Sequence, residues 1–283
     1  MNSAKIASRC RFSAVSRSAS VPLPSVVRPI LAGWLLDTLA ATIIGTMSNA
    51  DGKQPRQRWQ ILFRRGEPAL RTRQAELLAE FERAFHEAGL PLSTTNAAHP
   101  RARLKFAASL PVGIELQREV LEAFFDELVP MEGIRAAAAL FPEGVELVDA
   151  REVWHGFPSA ASQLRAAEYE VTVRGDDQLT EESLRGALVR LLGAEQLPAR
   201  RRRGESERRA DAGNRDLRPF IEDVEAIAVD EKRRTARLRM VLRLDPSGAG
   251  RPEDVVGALD LPLKVDRAAR TNLLFVDTPA VAR

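Results

Sequence analysis

Cysteine is almost missing from this 283-residue chain: Cys10 is the only one. A disulfide framework within one chain is therefore excluded, as is a cysteine-ligated zinc or iron–sulfur site. Histidine is nearly as scarce. His86, His99 and His155 are scattered, with no H-x-x-x-H or H-E-x-x-H spacing, which argues against a self-contained metalloenzyme. Aromatic residues make up 5% of the chain and Tyr169 is the sole tyrosine, which argues against the base-stacking sheet of the common single-stranded RNA modules. No G-x-S-x-G, P-loop or G-x-G-x-x-G motif occurs, so no nucleophile elbow or phosphate-cradling loop can be assigned.

A basic excess is also lacking where it would matter. The formal charge is +3, but five of the 42 basic residues and one of the 39 acidic residues fall in residues 1–46, leaving 37 and 38 from Met47 onward. The pI of 9.4 is thus no argument for a nucleic-acid binder. Residues 1–46 differ from the rest: Ser- and Arg-rich, then Pro22 and Pro24, then an apolar run at 30–44. That run is shorter than the roughly 20 residues a membrane-spanning helix needs. Three readings stay open: a start codon placed too far upstream of Met47, a secretory or membrane-surface segment, or a functional arm. The body is expected in the cytoplasm.

What is present is an alternation of patterns. Residues 59–64 read as a strand ending at Gly66. Leu70, Leu77, Leu78, Phe81, Ala84, Phe85 and Ala88 then recur at helical spacing up to the C-capping Gly89. Residues 103–106 form a short strand. Residues 120–125 fit a strand or a helix and are taken as a strand. A helix follows over 130–140 and a strand over 145–153. This β-α-β-β-α-β order is that of a ferredoxin-like split unit. The second half repeats it: a strand at 168–173, a helix capped by Thr180 and running to Leu192, a hairpin of 220–229 with 235–244, a helix over 252–259 and a last strand at 271–276. The expected fold class is α+β, two tandem ferredoxin-like units with antiparallel sheets, spanning residues 57–157 and 166–278 after an extension over 1–56.

The most unusual local sequence is His99-Pro100-Arg101-Ala102-Arg103-Leu104-Lys105-Phe106. With Leu104 and Phe106 facing a core, Arg103 and Lys105 share the opposite face with Arg101 in register, a row suited to phosphate. A solvated edge strand protected by its charges is the plain alternative. Arg200-Arg201-Arg202-Arg203, with Arg208 and Arg209, is the strongest charge run. It would attract RNA in a salt-dependent way, or it is a connector interrupted by Glu205, Glu207 and Asp211. Asp216 and Arg218 are placed on one strand face, able to hold a polar group or to form a salt bridge. Arg251 precedes a helix whose free N–H groups could receive an anion, and Arg270 stands near the start of the final strand.

Ala88-Gly89-Leu90-Pro91-Leu92-Ser93, the His99–Phe106 stretch and Leu110-Pro111-Val112-Gly113 together resemble a bacterial family of unknown function, the radical-SAM-linked proteins. Ala167-Glu168-Tyr169, residues 215–221, Arg251-Pro252-Glu253 and Arg270-Thr271 extend the likeness over about 57–277. The family's Ser-His-x-Asp is replaced by Arg73-Gln74-Ala75-Glu76, and Lys105 stands where Ser is common. The resemblance implies a non-catalytic adaptor for a separate radical S-adenosylmethionine enzyme. The partner would carry the iron–sulfur cluster and S-adenosylmethionine, this chain no cofactor, and the pair could share RNA. The expected binding residues are His99, Arg101, Arg103, Lys105, Asp216, Arg218, Arg251 and Arg270. The competing expectation is a metal-free RNA-processing or RNA-modifying enzyme using His99 as acid or base.

Overall fold

The computed structural model describes residues 55–198, 216–245 and 248–276. Residues 1–46, the arginine run at 200–203, Arg208, Arg209 and Arg215 lie outside the described residues. Among the described residues the order is β1 (Gln57–Arg65), α1 (Gln74–Glu87), β2 (Leu104–Phe106), β3 (Glu115–Phe125), α2 (Met131–Ala138), β4 (Val145–Glu152), α3 (Ala160–Gln163), β5 (Leu164–Arg174), α4 (Glu181–Gly193), β6 (Ile221–Asp230), β7 (Thr235–Asp245), β8 (Gly248–Ala249), α5 (Pro252–Ala258) and β9 (Lys264–Phe275). Single 3-10 turns at Ala69–Arg71 and Arg218–Phe220 precede α1 and β6.

Local chemistry sets the helix ends. Glu76 reaches back to the backbone N–H of Arg73 at 3.0 Å and closes the first turn of α1. Gly89, at φ +70, stops that helix: its N–H bonds His86 O and the Leu90 N–H bonds Phe85 O, both at 2.9 Å. Leu77, Phe81, Ala84 and Phe85 form the buried stripe of α1. Phe81 meets Phe63 of β1 edge-on at 5.2 Å and Phe141 at 4.7 Å, geometry that adds to plain apolar burial. Thr180 and Ser183 cap α4 reciprocally, at 3.1 and 3.0 Å.

The strands form one nine-stranded mixed sheet in the order β4-β1-β3-β9-β5-β7-β6, with β2 added to β3 and β8 to β7. In the first half β1 lies between β4 and β3, and β2 flanks β3. In the second, β5 lies between β9 and β7, and β6 flanks β7. The α+β class holds. The expectation of separate antiparallel sheets is corrected: β3 and β9 pair in parallel through Glu115↔Ala269 and Leu116↔Arg270, and a single hydrophobic core runs from Trp59 to Leu273. β9 also begins seven residues earlier than the pattern from Thr271 suggests, because Lys264, Asp266 and Arg267 are exposed charges and Arg270 a buried one, which leaves no apolar alternation to read.

Strand alternation separates the two sides of the sheet. On β5, Ala167, Tyr169, Val171 and Val173 are buried on the helix side, whereas Glu168, Glu170 and Thr172 are partly exposed on the other. That second side carries a ladder of ion pairs in the second half, Arg237–Glu170 and Arg239 with Glu168 and Glu225 among them. In the first half the corresponding face is built from Arg58↔Phe124, Gln60↔Glu122 and Leu62↔Val120. The connection between the halves crosses it: Arg58 donates to the carbonyls of Phe157 (2.7 Å) and Pro158 (3.1 Å), and Glu122 accepts from the Ala160 N–H at 2.9 Å.

Candidate nucleic-acid interface

In β2, Leu104 and Phe106 are buried and Lys105 between them is exposed. The strand's register against β3 is Leu104↔Ala123, Lys105↔Glu122, and the Phe124 N–H bonds Arg103 O at 3.2 Å. Arg103 and Lys105 therefore stand on the same face as Phe124 and Glu122. Arg101, exposed, is set one step further out by a small ladder in which its N–H bonds Thr95 Oγ1 (3.1 Å) and its carbonyl accepts from the Thr95 N–H (2.9 Å).

Phe124 is half-buried and shared. The Arg58 guanidinium carbon lies 5.6 Å from its ring centroid, and the exposed His155 ring stacks on it at 6.4 Å and 30°. Trp154, next in the chain, is 73% exposed. Beneath them Arg58 is ion-paired with Glu122, both fully enclosed, and Gln60 donates to the same carboxylate oxygen at 3.1 Å. Several arginines elsewhere on the described surface have carboxylate partners, Arg64, Arg83, Arg165, Arg174 and Arg267 among them. Arg101, Arg103 and Lys105 form no ion pair with a described residue. Unpaired cations beside exposed aromatic rings can hold phosphate and stack a base.

The other sequence-derived candidates are not part of this face. His99 is exposed in the loop before β2 and makes no hydrogen bond or ion pair with a described residue, so none of these orients it as an acid or base. Arg270 is buried. Its Nε donates to Glu119 at 2.5 Å, and Nη1 and Nη2 donate to Ser109 O at 3.1 and 3.2 Å. Burial pulls its pKa down, but Glu119 and Tyr169 outweigh that and the net direction is up. This corrects its placement on an accessible face: the guanidinium is 1% exposed and its donors are taken by Glu119 and Ser109.

Asp216 and Arg218 also have structural work. Asp216 Oδ1 accepts from the N–H groups of Leu197 (2.7 Å) and Arg218 (3.0 Å), which hold its carboxyl below the usual range. Arg218 donates to the carbonyls of Leu192 and Ala194, each at 3.2 Å, and of Ile221 at 2.8 Å. It satisfies the C-terminal end of α4, where the helix dipole also favours a cation. Arg251 is exposed and N-caps α5, but that helix opens with Pro252, which has no N–H, then Glu253 and Asp254, whose charge opposes an anion.

Sequence reasoning missed Phe124, His155 and Trp154 as one group, since 31 residues separate the stacked pair. It also missed four buried charges, Arg58, Arg65, Glu119 and Glu122. Glu119 and Arg65 stand at core-side strand positions, whereas Arg58 and Glu122 lie on the opposite face and are enclosed by the connection between the halves. Arg65 is enclosed where β1 ends and donates to the carbonyls of Thr72 (3.3 Å) and Ile114 (3.1 Å); burial lowers its pKa. A cleft of about 490 Å³ lies there, at the far end of β1 from Arg58, and its Arg64 and Glu146 neutralise one another. Among the described residues no cluster of three His, Cys, Asp or Glu is placed to hold a metal ion, and no helix is long and apolar enough to cross a membrane.

A protein-family model described as "Uncharacterized protein conserved in bacteria" matches residues 58–252. No curated protein matches the chain. Among solved structures, a crystal structure of a Cbf5-Nop10-Gar1 complex matches at 10% identity and TM-score 0.44, over 76% of this chain and 48% of that one. The archaeal box H/ACA sRNP Nop10-Cbf5 complex matches at 11% and 0.42, over 77% and 49%. An unknown protein from Galdieria sulphuraria matches at 12% and 0.23, over 78% and 98%. The chain spans about half the length of the first two, and similarity at this level carries no functional argument.

Proposed function

The chain belongs to the uncharacterized bacterial family DUF2344, and from that premise we propose that it is a non-catalytic binding module that holds RNA on the first-half sheet face. The carrying observation is that Arg103 and Lys105 share a face with Phe124, with Arg101 next to them, and form no ion pair with a described residue. The connection between the halves covers Arg58 and Glu122 on this face, so the accessible cations line its β2 edge. Unneutralised cations opposite a half-buried ring suit phosphate contact, and placing them on a strand fixes their geometry. In this reading the two halves are ferredoxin-like units in tandem. The repeated order β4-β1-β3-β2 and β9-β5-β7-β6 supports that, as do helices between the same strand pairs.

The module serves a radical S-adenosylmethionine enzyme, which supplies the iron–sulfur cluster and S-adenosylmethionine that this chain does not need to carry. The His99–Phe106 and Leu110–Gly113 motifs support the association, and the setting is the cytoplasm. The test of the binding role is fluorescence anisotropy of labelled single-stranded RNA with the full chain across a salt series. The R103A/K105A double variant should weaken binding and reduce the slope of log K against log salt by about 1.4, the loss of two phosphate contacts to a single strand. Unchanged affinity and slope in a folded double variant would overturn the assignment. Copurification of an iron-containing, S-adenosylmethionine-binding protein with the tagged chain tests the partnership.

A further inference from the structure

We propose that the turn at residues 154–157 is a preformed platform on which one unpaired base of single-stranded RNA stacks, with the Trp154 indole as its surface. The proposal rests on the reading of the adjoining cations as an RNA face and adds what part of the RNA is recognised.

Trp154 is the largest exposed apolar side chain described, at 73%, and its ring is seated on its own turn. A Cβ placed on Gly156 would lie 2.2 to 2.6 Å from three carbons of the indole six-membered ring. Only a residue without a Cβ lets the ring lie there. The turn is closed by the Phe157 N–H to the Trp154 carbonyl at 3.0 Å. It is anchored from below by Arg58, which donates to the carbonyls of Phe157 and Pro158 and is itself fixed by Glu122. His155, between the tryptophan and the glycine, stacks on Phe124. A hydrogen-bonded turn thus presents a flat aromatic face to solvent, next in the chain to His155, whose ring stacks on Phe124 opposite Arg103. A base offers a π-face and its phosphates offer charge, so the two features complement one ligand. A duplex hides its base faces and can use only the cations. Arg58 and Glu122 are positioning residues, since they act on the turn and not on the ligand.

The test compares an eight-nucleotide oligoadenylate with a duplex RNA of equal length, by anisotropy with the full chain. W154A should weaken single-strand binding about tenfold, within the range of a lost base stack, and leave duplex binding unchanged. W154F should keep most of the single-strand affinity. G156A, which displaces the indole without removing it, should reproduce the W154A loss in a protein with an unaltered melting temperature. Parent-like single-strand binding by W154A, with R103A/K105A weakened, would overturn the platform and leave the cationic face standing. If both variants bind as the parent does, the reading beneath it fails as well.

Discussion

Arg270 and Glu119 are 151 residues apart in sequence and form an enclosed ion pair at 2.5 Å where β3 meets β9. The pair sits at the seam between the two halves, and Tyr169 interacts electrostatically with the same guanidinium. The second Glu119 oxygen has no hydrogen-bond partner, so the carboxylate depends on Arg270.

Removing one member of this pair leaves the other charge buried. R270M is expected to lower unfolding free energy by about 3–5 kcal/mol, and R270M/E119L to recover most of it. Urea denaturation of the parent, the single variant and the double variant measures both. Equal stability of single and double variants would contradict the assignment.

Tyr169 sets an alkaline limit. Burial raises its pKa, against the smaller opposing effect of Arg270. The folded state thus keeps a proton that the unfolded chain loses near pH 10. This stability is present below that value and is lost as pH rises through the higher folded value. Y169F should flatten the fall in stability above about pH 10, followed by circular dichroism at fixed urea. An identical alkaline limb in Y169F would show that Tyr169 does not set it.

Asp216 acts at the other end of the scale. Hydrogen bonds from Leu197 and Arg218 depress its pKa. Its contribution is present above the unfolded value and lost as pH falls through the lower folded one. D216N should make acid unfolding less steep. R218A should cost about 1–3 kcal/mol, because the carbonyls at the end of α4 lose their donor, while RNA affinity stays at the parent level. A loss of RNA binding in folded R218A would return that residue to the binding face.

These contrasts mark what the sequence makes legible. The alternation of Glu168 to Val173, the apolar stripe before Gly89 and the cap at Thr180 are local, and each appears in the structure as read. Lys105 between buried Leu104 and Phe106 is legible in the same way. Arg270 is not, since an arginine near a strand start looks like surface until Glu119 is seen beside it. Arg218 is not, because its partners are backbone carbonyls at the end of another element. The Phe124–His155 stack needs the connection between halves to fold back over β3. A low aromatic content does not exclude a local ring pair such as Phe124 with His155.

The central claim is that the first-half sheet face binds RNA through Arg103 and Lys105. Its most direct test is the salt dependence of single-stranded RNA affinity between 50 and 200 mM salt, parent against R103A/K105A. The expected result is weaker binding with a slope shallower by about 1.4 in a variant that melts as the parent does. Superimposable salt plots for the two proteins would contradict the account.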